Sequence, residues 1–218
     1  MAYGAAPFAT EAFRRGAFVV QDPTALAAAE AVPCGPGDTV VDLCAAPGTK
    51  TTLLAERVRP RGRVFAFDPD PERRRRIADN VARLGLGDIV TLVDDPAQLP
   101  VADAVLADVP CSNTGVLGRR VEVRRRLQPD TTTSMAQLQR PLLQQAIGLC
   151  RPGGRVVYST CSIDRLENED LVAAALTGAA RAPCRLVTSH CTLPRAGAHD
   201  GGFFAVLEPG LPGSAREG

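Results

Sequence analysis

Lysine is almost missing from this chain: among 25 lysines and arginines in 218 residues, only Lys50 is a lysine. A codon bias that also enriches alanine, glycine and proline accounts for the arginine excess, but not for where the one lysine is kept. Net charge is missing too, since 25 basic side chains face 24 acidic ones. No global basic field advertises a nucleic-acid partner, so any such partner has to be met by local patches. No apolar run approaches the ~20 residues needed to span a bilayer, and the start, MAYGAAPFATEAFRRG, lacks the charged and apolar regions of a secretion signal. These absences predict an unexported, cytoplasmic protein with no membrane partner. The seven cysteines include no Cys-x-x-Cys pair and are odd in number, which argues against a zinc ribbon and against a disulfide framework; no metal is expected. Repeats and low-complexity linkers are absent as well. A chain of this length with 45% hydrophobic residues is expected to form one domain, with a flank over residues 1–35, a core over 36–210 and a tail over 211–218.

What is present is an alternation of short β-rich runs with helical patterns. TVVDL (Thr39 to Leu43) precedes a helix-like stretch ending near Val58, and RVFAFD (Arg63 to Asp68) precedes PDPERRRRIADNVARLG, where Ile77, Val81 and Leu84 recur at helical spacing before Gly85. IVTLV (Ile89 to Val93), ADAVLADVP (Ala102 to Pro110) and GGRVVYST (Gly153 to Thr160) are further strands. Asp164 and Glu167 have capping-box spacing before Leu171, Val172, Ala175 and Leu176. In Ser134 to Cys150, Pro141 makes a helix either begin nearby or kink. RLVTSHC and GGFFAVLE read as two closing strands, an antiparallel hairpin at the sheet edge. The whole predicts an α/β fold with a mostly parallel, seven-stranded sheet. Such sheets bind ligands at the carboxyl ends of their strands.

The first strand opens into DLCAAPGTKTT, Asp42 to Thr52. Small residues at Ala45, Ala46 and Gly48 let backbone approach a ligand, and the next helix offers free N–H groups. Asp68, twenty positions after Gly48 at the end of the second strand, is placed to accept hydrogen bonds from a ribose diol. The combination suggests a nucleoside cofactor; the dinucleotide pattern G-x-G-x-x-G and the phosphate-loop pattern G-x-x-x-x-G-K-[ST] are both missing. The fourth strand ends at Asp108, Pro110 and Cys111, and the fifth at Cys161. Neighbouring strand ends bring two thiols and a carboxylate to one pocket. A cysteine-protease reading has only His190 and His199 to draw on and no supporting signature.

DLCAAPGTKT, DVPCSNTGVLGRR and YSTCSIDRLENE resemble the motifs of the RNA cytosine-C5 methyltransferases of the Sun (Fmu, RsmB-like) type, which use S-adenosylmethionine. GAFVVQDPTALAAAEAV and HDGGFFAVLE match that family's flanks in order, so the resemblance covers nearly the whole chain. It implies a Rossmann-like S-adenosylmethionine-dependent methyltransferase fold and a covalent route. Cytosine C5 is a poor nucleophile, so a thiolate adds to C6 and C5 then attacks the sulfonium methyl. By resemblance Cys161 is the nucleophile, Cys111 assists product release, and Asp108 holds the base's Watson–Crick edge and favours protonation at N3. The cofactor residues implied are Cys44, Ala45, Ala46, Pro47, Gly48, Thr49 and Lys50, then Asp68, Asp95 with Asp94 as the alternative register, and Asp108, shared with the substrate. Lys50 thus falls inside the cofactor motif. DNA cytosine methyltransferases attack with the Pro-Cys cysteine and have no second Thr-Cys-Ser, so possession of both favours RNA. Cys34, Cys44, Cys150, Cys184 and Cys191 are expected to be inert packing.

RRVEVRRRL, Arg119 to Leu127, concentrates five arginines against one glutamate. Arg119, Arg120 and Arg124 are the candidate RNA contacts, since arginine pairs phosphates bidentately. Arg73 to Arg76 read as a solvated helix face. Val121 and Arg125 stand where the family commonly has proline and an aromatic residue. The chain starts almost at the methyltransferase domain, without the family's usual N-terminal RNA-binding portion, so recognition is expected to be weak or borrowed from a separate partner. Ribosomal RNA is the expected substrate, transfer RNA the second choice, and a non-catalytic RNA- or partner-binding module that keeps the fold is the rival.

Overall fold

The alternation read from the sequence is present in a computed structural model, which describes residues 7–177 and 184–210. After a one-turn helix α1 (Glu11–Arg14) and α2 (Pro23–Glu30), the chain enters β1 (Thr39–Asp42), α3 (Thr49–Val58), β2 (Arg63–Phe67), α4 (Pro71–Arg83), β3 (Val90–Val93) and β4 (Ala102–Asp108). A one-turn α5 (Val121–Arg124) and the long α6 (Thr131–Leu149) lead to β5 (Cys150–Thr160), α7 (Glu169–Thr177), β6 (Cys184–Thr192) and β7 (Gly202–Pro209). The seven strands lie in the order β3-β2-β1-β4-β5-β7-β6. β1 to β5 are parallel, while β7 runs antiparallel between β5 and β6. The proposed tail, residues 211–218, lies outside the described residues.

Alternation along each strand feeds two cores. Val41, Val105 and Tyr158 face the layer that buries Leu143 of α6 and Leu171 of α7; Val40, Ala104 and Val157 face the layer of Leu54 in α3 and Ile77 in α4. α4 shows how local signals set an element: Asp70 accepts from the Glu72 and Arg73 N–H groups, Pro71 opens the helix, Ile77 and Val81 are buried, and Gly85 at φ +66 follows its end.

α6 starts at Thr131 and runs through Pro141, so the helix does not begin at the proline. Pro141 and Gln137, whose carbonyl loses its helical donor, are both exposed. The Asp164–Glu167 capping box does not form. Asp164 caps only a 3-10 turn, accepting from the Leu166 N–H at 2.9 Å. Glu167 turns inward and is wholly buried.

The chain runs outward from β1 to β3 and then crosses back to place β4 on the other side of β1. That reversal opens a crevice at the carboxyl ends of β1 and β4, where a doubly wound sheet takes its ligand.

Candidate active site

β1 ends in Asp42, and the chain turns through Leu43–Pro47 into α3. Gly48, at φ +99, closes the turn, and a Cβ there would sit 3.2 Å from the Cα of Ile77. Only glycine lets the loop lie this close to α4. Asp42 accepts from the Thr51 hydroxyl at 2.7 Å through one oxygen, while its buried Oδ1 has no partner. Burial, with a smaller contribution from nearby Asp108 and Asp68, pushes the Asp42 carboxyl up to about 7 despite the Thr51 bond. Asp42, Cys44, Ala45, Pro47, Lys50 and Asp108 line a cavity of about 30 Å³ at this point. An orphaned buried acceptor beside small residues and a free helix N-terminus fits the amino-acid end of a nucleoside cofactor.

Asp68 sits just beyond β2, 1% exposed, accepting from the Ala46 N–H at 3.2 Å and the Asp70 N–H at 3.1 Å. Its second oxygen also lies 3.4 Å from the Arg73 guanidinium. Arg73 and Arg74 therefore do not belong to a merely solvated face: Arg74 donates to the Asp68 carbonyl and pairs with Asp94 at 3.2 Å. Arg75 and Arg76 are exposed. Asp95 caps a 3-10 turn by accepting from the Ala97 N–H, and both Asp94 and Asp95 are exposed beyond β3. The 30 Å³ cavity thus gathers the β1 loop, while Asp68 and Asp95 stand along the neighbouring strand ends.

The only lysine bridges the two halves of the site. Lys50 Nζ donates to Asp108 Oδ2 at 2.6 Å, and the Ser159 hydroxyl donates to Asp108 Oδ1 at 2.7 Å. Burial disfavours the Lys50 charge, but the carboxylate of Asp108, its hydrogen bond and the nearby Asp42 outweigh it and hold the ammonium above the usual lysine range. Lys50 and Asp108 also line a second cavity of about 170 Å³, with Ser159, Thr160 and Cys161 on one side and Gly202 and Phe204 on another. The ion pair is therefore the wall between a cofactor-side and a second chamber.

Cys161 and Cys111 meet behind that wall. Their sulfurs are 3.2 Å apart and both are free thiols. Cys161 Sγ also stands 3.0 Å from Asn113 Oδ1, an acceptor for a thiol proton. The two contacts pull in opposite directions, because Asn113 favours a neutral Cys161 and a donating Cys111 favours a thiolate. The charges around the pair, Lys50 and Arg120 near Cys161, favour the second. The Cys111 hydrogen bond, against the opposing pull of burial and Asp108 and with help from Lys50 and Arg120, sets Cys161 below the usual thiol range. Its bond to Cys161, burial, and the Cys161 and Glu167 charges raise Cys111 well above it. Cys161 is therefore the more acidic thiol of the pair and Cys111 the one that holds its proton more tightly. Of the other cysteines, Cys44 and Cys150 are buried packing, Cys34 and Cys184 are half-buried and Cys191 is exposed; desolvation raises all five thiols, Cys150 to about 11.

Glu167 ties the two cysteine turns together. It accepts from the Ser112 N–H at 2.8 Å and the Ser112 hydroxyl, from the Ser162 hydroxyl at 2.7 Å, and from the Gln139 amide at 2.9 Å. Ser112 follows Cys111 and Ser162 follows Cys161, so one buried carboxylate fixes both exits. Neighbouring Asn168 joins in, accepting from Thr160 and donating to the Ser162 carbonyl. Spacing assigned Glu167 to a helix cap; no periodic signal distinguishes a cap from a buried carboxylate awaiting partners from another strand.

The sequence model of the family described as 16S rRNA methyltransferase RsmB/F matches residues 30–204. The chain belongs to the RsmB/F family. Ribosomal RNA small subunit methyltransferase B of Proteus mirabilis is 35% identical over 200 residues, covering 89% of this chain and 47% of the relative. The corresponding protein of Sodalis glossinidius is 37% identical over 212 residues, covering 89% and 47%. The chain thus spans about half the length of the curated relatives it matches. Among solved structures, NSun6 from Pyrococcus horikoshii with SFG, an analogue of S-adenosylmethionine, superposes with a TM-score of 0.84 at 28% identity, over 94% of this chain and 56% of that one. A methyltransferase homologue from the same organism gives 0.81 at 26%, over 95% and 73%. The RsmB/F fold is an S-adenosylmethionine-dependent methyltransferase fold, and S-adenosylmethionine is its cofactor. No helix among the described residues is long and apolar enough to cross a membrane.

Within this RsmB/F domain the arginine run is divided. Arg119 stays largely exposed but is paired, hydrogen-bonding Asp200 and lying 3.4 Å from Asp22. Arg120 is close enough to Cys161 to favour its thiolate. Arg124 is exposed and forms no ion pair among the described residues. Asp22 and Asp200, which sequence spacing does not connect, are joined by the Thr24 hydroxyl donating to the Asp200 carbonyl at 2.7 Å and by the Asp200 N–H donating to Asp22.

Proposed function

We propose that this chain methylates C5 of cytosine in RNA, with small-subunit ribosomal RNA as the substrate, through a covalent adduct at Cys161. The observation that carries the reading is the Cys111–Cys161 contact of 3.2 Å beside the Lys50–Asp108 pair. Family membership and the names of the relatives support the RNA.

The target base enters the 170 Å³ chamber, where Asp108, held by Lys50 and Ser159, accepts from its Watson–Crick edge and favours a proton at N3. That proton makes C6 electrophilic. The Cys161 thiolate forms the S–C6 bond, and the electron pair released toward C5 makes that carbon the nucleophile. S-adenosylmethionine, when bound, supplies an electrophilic methyl group. The residues that would hold it are the Cys44–Lys50 loop, Asp42 through its unpartnered oxygen, Asp68 at the ribose and Asp95 at the adenine. Water entering from solvent takes the C5 proton, the C5–H electron pair re-forms the C5–C6 double bond and expels the sulfur, and the Cys111 thiol stabilises the departing Cys161 thiolate by donating a hydrogen bond to it.

The test is incubation of the protein with labelled S-adenosylmethionine and total bacterial RNA, followed by nucleoside analysis. Labelled 5-methylcytosine is expected; its absence from every RNA contradicts the reading.

A further inference from the structure

A cleft of about 690 Å³ opens beside the base chamber, between the Thr114–Arg119 segment with Arg124 on one side and Pro194–Asp200, the β6–β7 connection, on the other. Its floor is tied to the proposed nucleophile. The Gly115 N–H donates to the Cys161 carbonyl at 3.0 Å, and the Gly201 N–H donates to the Gly115 carbonyl at 2.8 Å. A Cβ on Gly115 would lie 2.3 Å from the Gly201 oxygen and 2.8 Å from the Cys161 oxygen, so only glycine permits three backbone segments to meet here. Asp22 and Asp200 line both the cleft and the base chamber. A strand leaving one therefore enters the other.

The charges of this cleft fall into two groups. Arg119 is already paired, its guanidinium shared between the carboxylates of Asp200 and Asp22 at the junction. Arg124 and Arg195 are exposed, face the cleft from opposite walls and pair with no carboxylate among the described residues. Arg195 is held by a tight reversal: its N–H donates to the His199 carbonyl at 3.0 Å, and Gly197 takes φ +72 between them. Two unpaired guanidinium forks facing each other across a groove are suited to phosphodiester oxygens. The base chamber, about 170 Å³, holds a base but not the chain that carries it; the cleft has the volume range of a bound small ligand, several hundred Å³.

We propose that this cleft binds the single-stranded RNA segment adjoining the target cytosine, with Arg124 and Arg195 gripping its phosphates from the two walls. This rests on the RNA reading above and adds the β6–β7 connection to the RNA surface.

Fluorescence anisotropy of the full chain with a labelled 12-nucleotide single-stranded RNA, titrated across salt concentrations, tests it. A phosphate contact to single-stranded nucleic acid contributes a salt slope of about −0.7, which corresponds to roughly fivefold in affinity at 0.1 M salt. Arg124→Ala and Arg195→Ala are each expected to lose about that factor and to flatten the slope by ~0.7, while Arg76→Ala on the far helix changes neither and S-adenosylhomocysteine binding is kept by all three. No measurable RNA binding by the wild type, unchanged affinity in the cleft variants, or an equal loss in Arg76→Ala overturns the proposal. Methylation assays separate it from the enzymatic reading. RNA binding with this arginine dependence but no 5-methylcytosine leaves the cleft standing and the reading fallen; methylation with an unchanged KM in the double variant does the reverse.

Discussion

The sulfurs of Cys111 and Cys161 lie 3.2 Å apart although fifty residues separate them. Their meeting follows from sheet register. β4 and β5 pair in parallel with Asp108 opposite Ser159, so the chain leaves both strands at one level, and Cys111 and Cys161 come within reach three and two residues later. Glu167 then locks both exits by accepting from Ser112 and Ser162.

The hydrogen bond from Cys111 makes Cys161 the more acidic thiol. Alkylation by iodoacetamide, followed by mass spectrometry of the Cys161 peptide across pH, is expected to reach half its maximal rate below pH 9, the ordinary thiol value. In Cys111→Ala the midpoint moves up, because the donor that favours the thiolate is gone. A profile in which Cys111 titrates first contradicts the assignment of the two sulfurs.

Glu167→Ala removes the acceptor of four buried hydrogen bonds, leaving the Ser112 N–H and one Gln139 amide hydrogen with none, and is expected to destabilise the fold by about 2 kcal/mol or more, read as a lower denaturant midpoint. Glu167→Gln also costs stability, since its NH₂ group must face donors where the site needs acceptors. Both variants loosen the Ser112 and Ser162 turns, so covalent capture of RNA by Cys161 should fall along with stability. Unchanged stability in both refutes the clamp.

Asp42 gives a pH signature. Its folded value, about 7, lies above the ordinary 3.8, so in this window the native state binds a proton that the unfolded chain has lost. The resulting stability is fully present below pH 4 and is lost as pH rises through about 7, on the order of 2–4 kcal/mol. Asp42→Asn keeps an oxygen for Thr51 and removes the titration. Without cofactor, the variant should therefore gain stability relative to wild type between pH 5 and pH 8, measured by thermal unfolding; a constant difference contradicts the buried-acid account.

The parallel strands, the Gly48 turn and the convergence of Asp108, Cys111 and Cys161 were legible because each rests on a local signal: a β-rich run, a small-residue loop, a strand exit. Whether α6 begins before Pro141 was not legible, because the proline removes one helical donor and the packing on either side, which only the fold supplies, decides whether the helix continues through it. Glu167 misled because its partners come from another strand and another helix. Arg119 and Arg73 sit in runs that read as surface charge, yet their carboxylates at Asp200, Asp22 and Asp68 are reached only through tertiary contacts.

The central claim concerns which sulfur bonds the base. Wild type, Cys161→Ala and Cys111→Ala, each incubated with S-adenosylmethionine and the RNA that wild type methylates, are resolved on denaturing gels for protein–RNA adducts. A stable adduct in Cys111→Ala, where attack occurs but release fails, and none in Cys161→Ala is the predicted result. An adduct that persists in Cys161→Ala and is absent from Cys111→Ala would contradict it.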